Sequence, residues 1–248
     1  MSLALVFAHP DDETFGAGAA IARYAAAGVR CVLFCATNGD AGKTSGVNVG
    51  SPEGLGRARR RELEDAALVL GISTVVAPGY GDGALAGADP DRLVGEIVRF
   101  LREHRARVVV TFGPEGGPNA HRDHRAISRV ATAAFFLAGN ASIAAGDGGD
   151  GGDGGPPPHR PDRLYYLTTE LTAGAAGGRV RAAGLPPTAR LDARAHNDTK
   201  RAAFEAHATQ HQHRETFEAL SMRDFEPYAF AAGVPQPRAV VEDLFEGL

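Results

Sequence analysis

Short apolar segments alternate with longer amphipathic segments over the first two-thirds of the chain. The apolar segments predict strands at residues 3–8, 30–36, 74–77 and 107–112, with a further strand at 163–168. Parallel strands are apolar throughout because both of their faces are buried, whereas half-exposed strands alternate apolar and polar residues. The pattern therefore predicts a mostly parallel sheet.

The amphipathic segments repeat their apolar residues at helical spacing and carry signals for helix ends. Gly28 and Gly71 each follow such a segment, and Asp89-Pro90 precedes another. The predicted helices comprise residues 15–27, 57–70, 91–104, 123–137 and 199–220, and residues 37–56 are a predicted glycine-rich loop. Strands that alternate with helices predict an α/β fold of the Rossmann-like, doubly wound type, with helices on both faces of the sheet.

The composition is that of an ordinary globular protein. The chain has 248 residues, of which 44% are hydrophobic and 23% are charged, and its formal net charge is −4. This length suits one large α/β domain, so we expect a single domain over residues 1–248. The repeat GDGGDGGDGGPPP at 146–158 cannot bury enough apolar surface to order itself, and we predict a flexible insertion there.

Charge and cysteine content indicate which kinds of binding partner and which cellular compartment to expect. The chain has no broad basic surface signal for nucleic acid or for an anionic membrane. No apolar run approaches the roughly 20 residues of a membrane span. Cys31 and Cys35 lie in an apolar segment and are predicted to be buried thiols. Because the start of the sequence lacks the pattern of a signal peptide, we expect a cytoplasmic protein.

Two polar clusters follow predicted strands. HPDDE at 9–13 comes directly after the first strand, and HRDH at 121–124 lies in the loop after the fourth. Helix capping would account for some of the acids in HPDDE, but several acids beside a histidine repel one another unless a cation is present. In a doubly wound sheet these two strands adjoin where the strand order reverses, which is where ligands bind. We therefore expect the two clusters to face each other.

Together the clusters offer two imidazoles and a carboxylate for a metal, with further acid and base groups beside them. Three protein ligands and an open fourth position form the arrangement of a catalytic zinc site. Non-haem iron(II) oxygenases use the same donors and remain an alternative, as does a non-catalytic metal- or sugar-binding protein. A nucleotide-binding module is less favoured because the glycines at 16–18 lack the third glycine of the GxGxxG pattern.

The two motifs closely resemble those of the LmbE/PIG-L family of zinc-dependent N-acetylglucosaminyl deacetylases, which includes enzymes of mycothiol and bacillithiol biosynthesis. The family's (A/P)HPDDE motif stands at residues 8–13 and its HxDH motif at 121–124. Similarity continues in a TxGxxG loop at 37–42, an RxxE pattern at 59–62 and a KxxA…HxxQ pattern at 200–210. The resemblance implies hydrolysis of the N-acetyl amide of an N-acetylglucosamine conjugate.

The resemblance also implies a metal centre with defined ligands. His9, Asp12 and His124 would be the metal ligands. The expected ion is Zn²⁺, and Fe²⁺ or another divalent ion is an alternative. Zinc suits the chemistry because it polarises a carbonyl and lowers the pKa of a bound water molecule to roughly 7.

Three further residues of the motifs would carry catalytic roles by the same resemblance. Asp11 would be the general base, with Glu13 as the less favoured alternative. His121 would stabilise or protonate the tetrahedral intermediate, and Asp123 would orient His121.

The expected substrate is a small amino-sugar conjugate whose second part the sequence does not identify. Arg59 and Asp82 resemble family residues that bind the substrate. Asn119 stands where some members have a tyrosine, and it would donate a weaker hydrogen bond in that place. His207 is expected to be a hydrogen-bonded packing residue rather than a ligand. The sequence leaves open whether the protein is a homo-oligomer.

Overall fold

The computed structural model describes residues 1–143, 155–168 and 184–248 of the chain. Most of the predicted insertion at 146–158 lies outside the described residues, and its described end, 155–158, has no regular secondary structure.

Within the described residues, seven strands form one sheet. In chain order they are β1 (Ser2–Phe7), β2 (Arg30–Cys35), β3 (Ile72–Val76), β4 (Val108–Phe112), β5 (Arg163–Leu167), β6 (Ala189–Asp192) and β7 (Phe225–Gly233). Their order in the sheet is β3-β2-β1-β4-β5-β7-β6. The strands β1 to β5 are parallel, and β7 pairs antiparallel with β5 and β6. The prediction of a mostly parallel sheet is confirmed, whereas β6 and β7 have no predicted counterpart.

Six α-helices accompany the described part of the sheet. They are α1 (Asp12–Ala26), α2 (Pro52–Leu70), α3 (Pro90–Glu103), α4 (Arg122–Leu137), α5 (Asn197–Ala206) and α6 (Arg214–Leu220). β2 and β3 are added on one side of β1, and β4 and β5 are added on its other side. Because parallel crossovers are right-handed, their helices lie on opposite faces. Accordingly α1 packs against α2 and α5, while α3 packs against α4, as expected for a doubly wound fold.

Residues that the sequence marks as helix ends lie at those ends in the structure. Asp89 caps α3 with its side chain, and Gly71 ends α2 with a φ of 78°, a value that glycine adopts without strain. The start of α2 differs from the prediction. Ser51 accepts a hydrogen bond from the backbone N–H of Gly54, and Pro52 is the first helical residue, so the helix begins within the predicted loop.

The single helix predicted at 199–220 is wrong. α5 ends at Ala206, and a 3₁₀ segment, Ala208–His213, separates it from α6. At the break, His207 has a ψ of 61°, outside the helical range, and its ring is fully buried against Glu13. A tertiary contact therefore overrides the local helical pattern at this position.

The core lies in the centre of the sheet. β1 is buried along its whole length, and it pairs with β2 on one side and β4 on the other. Cys31 and Cys35 are free and buried, as predicted. The reversal of strand order between β1 and β4 is also confirmed, so the two polar clusters are brought to neighbouring strand ends. Among the described residues, no helix combines the length and apolar character that a membrane span requires.

Candidate active site

The first cluster forms the turn from β1 into α1. The Asp12 carboxylate accepts the backbone N–H groups of Ala8 at 3.2 Å and His9 at 2.8 Å, which fixes it against the end of the strand. Asp11 has a φ of 104°. Such values cost about 1–3 kcal/mol for a residue other than glycine, and they persist where the surroundings impose them, often at functional sites.

The second cluster forms the start of α4. His121 caps this helix, because its Nδ1 accepts the backbone N–H of Asp123 at 3.2 Å. His124 lies in the first turn, with its Nδ1 3.1 Å from the carbonyl oxygen of Gly116. Its ring stacks on Phe112, the last residue of β4, with centroids 3.8 Å apart and planes inclined by 6°. These contacts turn the Nε2 of His124 toward the first cluster.

His9, Asp12 and His124 meet at the carboxyl ends of β1 and β4. Nδ1 of His9 is 3.2 Å from Nε2 of His124 and 3.5 Å from Oδ2 of Asp12, and Oδ1 of Asp12 is 3.2 Å from Nε2 of His124. Tetrahedral zinc, with bonds of about 2.0–2.2 Å, spaces its donor atoms about 3.3–3.6 Å apart. His9 and His124 contact different oxygens of Asp12, and the three buried side chains together offer donors of suitable chemistry, at about this spacing, for one divalent ion.

His121 adds a further group to this cluster. One of its ring nitrogens lies within 4.8 Å of donor atoms of His9 and His124. Burial and the two neighbouring imidazoles lower the pKa of His121, which favours the neutral ring near pH 7. Because Nδ1 accepts a hydrogen bond, the neutral ring carries its proton on Nε2. His121 can therefore act as a neutral N–H donor to a developing oxyanion.

The second ring nitrogen of His9 faces two more carboxylates. Its Nε2 is 3.2 Å from Oδ1 of Asp82 and 3.3 Å from Oδ2 of Asp123, which also accepts the backbone N–H of Gly83 at 2.6 Å. Burial alone would lower the pKa of His9, but hydrogen bonds to Asp12, Asp123 and Asp82 raise it well above its usual value. Carboxylates placed in this way orient the imidazole ligands of metal sites.

Two residues near His121 make contacts that the sequence did not predict. Asp123 was expected to orient His121, but its carboxylate contacts His9 because the N–H of Gly83 holds it on that side. Only the backbone of Asp123 reaches His121. Asn119 is exposed, and its Oδ1 accepts the backbone N–H of His121 at 3.2 Å. Asn119 thus supports the turn before α4 while it also lines the cleft.

Asp11 lies beside the metal-donor cluster and is paired with Arg59 of α2. Nη2 of Arg59 is 3.1 Å from Oδ2 of Asp11, and the same guanidinium donates to the carbonyl oxygens of Pro10 and Gly39. Burial raises the pKa of Asp11 to about 6, although the charge of Arg59 opposes this rise. A carboxylate in this range suits general-base catalysis near neutral pH. The guanidinium that is predicted to bind substrate is therefore already engaged with the Asp11 carboxylate.

These residues line a cleft of about 490 Å³, within the size range of small-molecule sites. All nine residues predicted for the site line it except Asp123, which is buried behind His9. One wall has no counterpart among the predictions, because Lys200 and Glu226 form a buried ion pair there, with Nζ and Oε1 2.6 Å apart. Of the pair, only Lys200 carried a sequence signal, in the KxxA pattern at 200–203.

The fold and the cluster define a doubly wound α/β protein with a candidate metal-binding cleft at the reversal of its strand order. The sequence comparison then gives the family. The profile of the PIG-L family, described as GlcNAc-PI de-N-acetylase, matches residues 4–135, and the chain belongs to this family. The resemblance noted from the two motifs is confirmed.

A relative agrees with this membership, and a solved structure agrees with the fold. A 1D-myo-inositol 2-acetamido-2-deoxy-alpha-D-glucopyranoside deacetylase of Rhodococcus opacus is 34% identical over an alignment 247 positions long, and the alignment covers 84% of this chain and 81% of the relative. The structure of the N,N'-diacetylchitobiose deacetylase of Pyrococcus horikoshii has a TM-score of 0.73 at 20% identity, covering 93% of this chain and 83% of the other.

A third comparison shows that the fold alone does not fix the reaction. The 4-carboxy-2-hydroxymuconate hydratase of Pseudomonas putida has a TM-score of 0.69 at 20% identity, covering 96% of this chain and 98% of the hydratase. One fold thus supports different chemistries, and the function must be argued from the site.

Proposed function

We propose that the protein is a metal-dependent amide hydrolase that removes the N-acetyl group from an N-acetylglucosamine conjugate. The observation that carries this proposal is the convergence of His9, Asp12 and His124, with donor atoms 3.2–3.5 Å apart, beside a carboxylate of raised pKa, Asp11. A metal donor set with a carboxylate next to it that can accept a proton is an arrangement suited to hydrolysis.

His9, Asp12 and His124 would hold the ion, which we propose to be Zn²⁺, with Fe²⁺ or another divalent ion as the alternative. When bound, the ion would polarise the amide carbonyl and acidify a water molecule. The family and the Rhodococcus opacus relative favour hydrolysis over the oxygenase considered from the same donors.

The chain's own residues supply the proton transfers. Asp11 accepts a proton from water as the new carbon–oxygen bond forms. The Nε2–H of His121 donates a hydrogen bond to the carbonyl oxygen as its negative charge grows. Asp11 then gives the proton to the amide nitrogen as the carbon–nitrogen bond breaks, which releases acetate and the free amine. General acid–base transfer of this kind contributes typically about 10²–10⁴-fold in rate.

The conjugate named for the relative, an inositol glycoside of N-acetylglucosamine, is our first candidate substrate. Burial opposes ionisation of Asp82, but its hydrogen bond to His9 lowers its pKa, so it offers an ionised acceptor for sugar hydroxyls in the cleft. Arg59 and Asn119 also line the cleft, and their contact with substrate stays a prediction. The cytoplasmic location and the single-domain organisation likewise stay predictions.

The experiment is a panel of acetylated amino sugars assayed for free amine and for acetate. It comprises the inositol conjugate, a malate conjugate, N,N'-diacetylchitobiose and free N-acetylglucosamine, each with the zinc-loaded protein, with a chelator and after zinc is restored. We expect equal amounts of amine and acetate from at least one conjugate, lost with the chelator. Metal-loaded protein that releases no amine from any member would refute the proposal.

A further inference from the structure

Glu13, the last residue of HPDDE, lies beneath the turn that carries the base. Its side chain is fully buried, with 0% of the residue exposed. Oε2 accepts the backbone N–H of Asp11 at 3.0 Å, and Oε1 accepts the hydroxyl of Thr14 at 2.6 Å. Both carboxylate oxygens are therefore occupied by protein donors. A buried carboxylate with such partners cannot reach a water molecule in the cleft, so Glu13 does not fit the role of alternative base.

The third partner of Glu13 comes from the opposite end of the chain. Nε2 of His207, at the end of α5, lies 2.8 Å from Oε1 of Glu13, and His207 is also fully buried. Each of the two buried groups is a hydrogen-bond partner of the other, and removal of either would leave the other without this contact in the interior, which is costly. The pair therefore holds the Glu13 carboxylate at a fixed place behind the turn.

Asp11 needs such support because its backbone is strained. Its φ of 104° is uncommon for a residue with a side chain. On the side of the preceding peptide, Arg59 holds the carbonyl oxygen of Pro10. On the following side, the Asp11 carbonyl accepts the N–H groups of Thr14 at 3.0 Å and Phe15 at 2.9 Å. The remaining backbone group, the N–H of Asp11, is bound by Glu13.

We propose that Glu13 and His207 are positioning residues for the catalytic base. The buried pair binds the Asp11 amide and so keeps the Asp11 carboxylate next to the metal-donor cluster. This inference rests on the proposed function, since that function makes Asp11 the base. It requires no proton transfer through Glu13 or His207, only a fixed acceptor for one backbone N–H.

The test compares two replacements of the same residue. Glu13→Ala removes the acceptor for the Asp11 amide, and Glu13→Gln keeps a carbonyl oxygen in its place. Misplacement of a catalytic group by about 1 Å can cost about 10²-fold in rate. We therefore expect Glu13→Ala to lower kcat by about 10²-fold with little change in KM or in bound metal. Glu13→Gln should retain most of the activity.

His207→Ala and His207→Gln form a second pair, in case Glu13→Ala does not fold. Glutamine can still donate to Glu13, so only the alanine variant should lose activity, by about tenfold for one charge-assisted hydrogen bond. Arg102→Met is the matched control for stability. Arg102 is buried and donates to the carbonyl oxygens of Ala138 and Asn140, beyond the far end of α4, so its loss should lower Tm without lowering kcat.

A spectroscopic readout separates this inference from the hydrolase assignment. The backbone amide of Asp11 should shift in ¹H–¹⁵N spectra and exchange faster with solvent in Glu13→Ala, but not in Arg102→Met. Equal losses of kcat in Glu13→Gln and Glu13→Ala would overturn the positioning role, since Glu13 would then act through its charge or as a base. An Asp11 amide that is unchanged in Glu13→Ala would also overturn it. Wild-type protein that hydrolyses no conjugate would instead refute the proposed function, while the amide spectra would still decide the contact.

Discussion

Replacing Asp11 with asparagine should abolish hydrolysis and at the same time stabilise the metal-free fold at neutral pH. Activity is lost because an amide cannot accept the proton from water. Stability rises because the ionised carboxylate is held where burial disfavours it, a common conflict between activity and stability at catalytic sites. The two effects come from one property of the site, so both should appear in the same variant.

The size of the stability effect follows from the pKa of Asp11. Burial raises this pKa from 3.8 to about 6. At 1.36 kcal/mol per pH unit, the ionised form disfavours the folded state by about 3 kcal/mol. The contribution of this carboxyl group to stability is therefore complete below pH 3.8, decreases as the pH rises toward 6 and is absent above it. The asparagine variant does not titrate, so its advantage should grow by about 2 kcal/mol between about pH 4.5 and about pH 7.5.

The measurement is urea unfolding of both proteins across this pH range in the presence of a chelator. The difference between the two free energies of unfolding isolates Asp11 from other groups that titrate. Asp198→Asn makes the same chemical change at an exposed side chain and controls for net charge. A bound cation would favour ionised Asp11, so restored metal should reduce the difference. Curves that run parallel over the whole range, or a wild type that gains on the variant as the pH rises, would contradict a raised pKa.

Three further predictions concern other residues of the cleft. His124→Ala should fold but lose its metal, and full occupancy by elemental analysis would rule out its role as a ligand. Arg59→Met removes the charge that lowers the pKa of Asp11, so the acidic limb of the kcat/KM profile should move to higher pH, and an unmoved limb would contradict this pairing. Lys200→Met removes the cation of a buried ion pair and leaves the Glu226 charge with neutral donors, the N–H groups of Ala19 and Ala20 and the hydroxyl of Tyr228. It should cost about 3–5 kcal/mol in urea unfolding. Adding Glu226→Gln should recover much of that loss, and no recovery would argue against the pair.

The central part of the site could be predicted because it depends on short motifs and on topology. HPDDE at 9–13 and HRDH at 121–124 each follow a buried strand, and the usual strand order of a doubly wound sheet makes those strands neighbours. The likeness to the family then assigned roles that the distances among His9, Asp12 and His124 support. Local sequence and strand order were sufficient for these residues.

Contacts between distant parts of the chain could not be predicted in the same way. His207 and Glu13 are 194 positions apart, and neither the amphipathic pattern of 199–220 nor the HxxQ motif shows that the helix breaks to join them. Asp123 contacts His9 rather than His121 because the N–H of Gly83, 40 positions away in the chain, binds its carboxylate on the side of His9. β7 differs for another reason, since it lies in the antiparallel part of the sheet and is only partly buried, so it lacks the continuous apolar run that marks a parallel strand.

The long-range contacts explain two further family patterns, RxxE at 59–62 and HxxQ at 207–210. In the RxxE pattern, Arg59 and Glu62 lie about one helical turn apart on α2. Arg59 binds Asp11, while Glu62 accepts the N–H of Thr209 at 2.9 Å and its hydroxyl at 2.6 Å. Thr209 lies two residues after His207, which supports Asp11 from behind through Glu13. The residues of RxxE and HxxQ therefore join α2 to the segment after α5, and Asp11 is held between the two. A change in the contact between these segments should alter the position of Asp11, and with it the rate of hydrolysis, without altering the metal ligands.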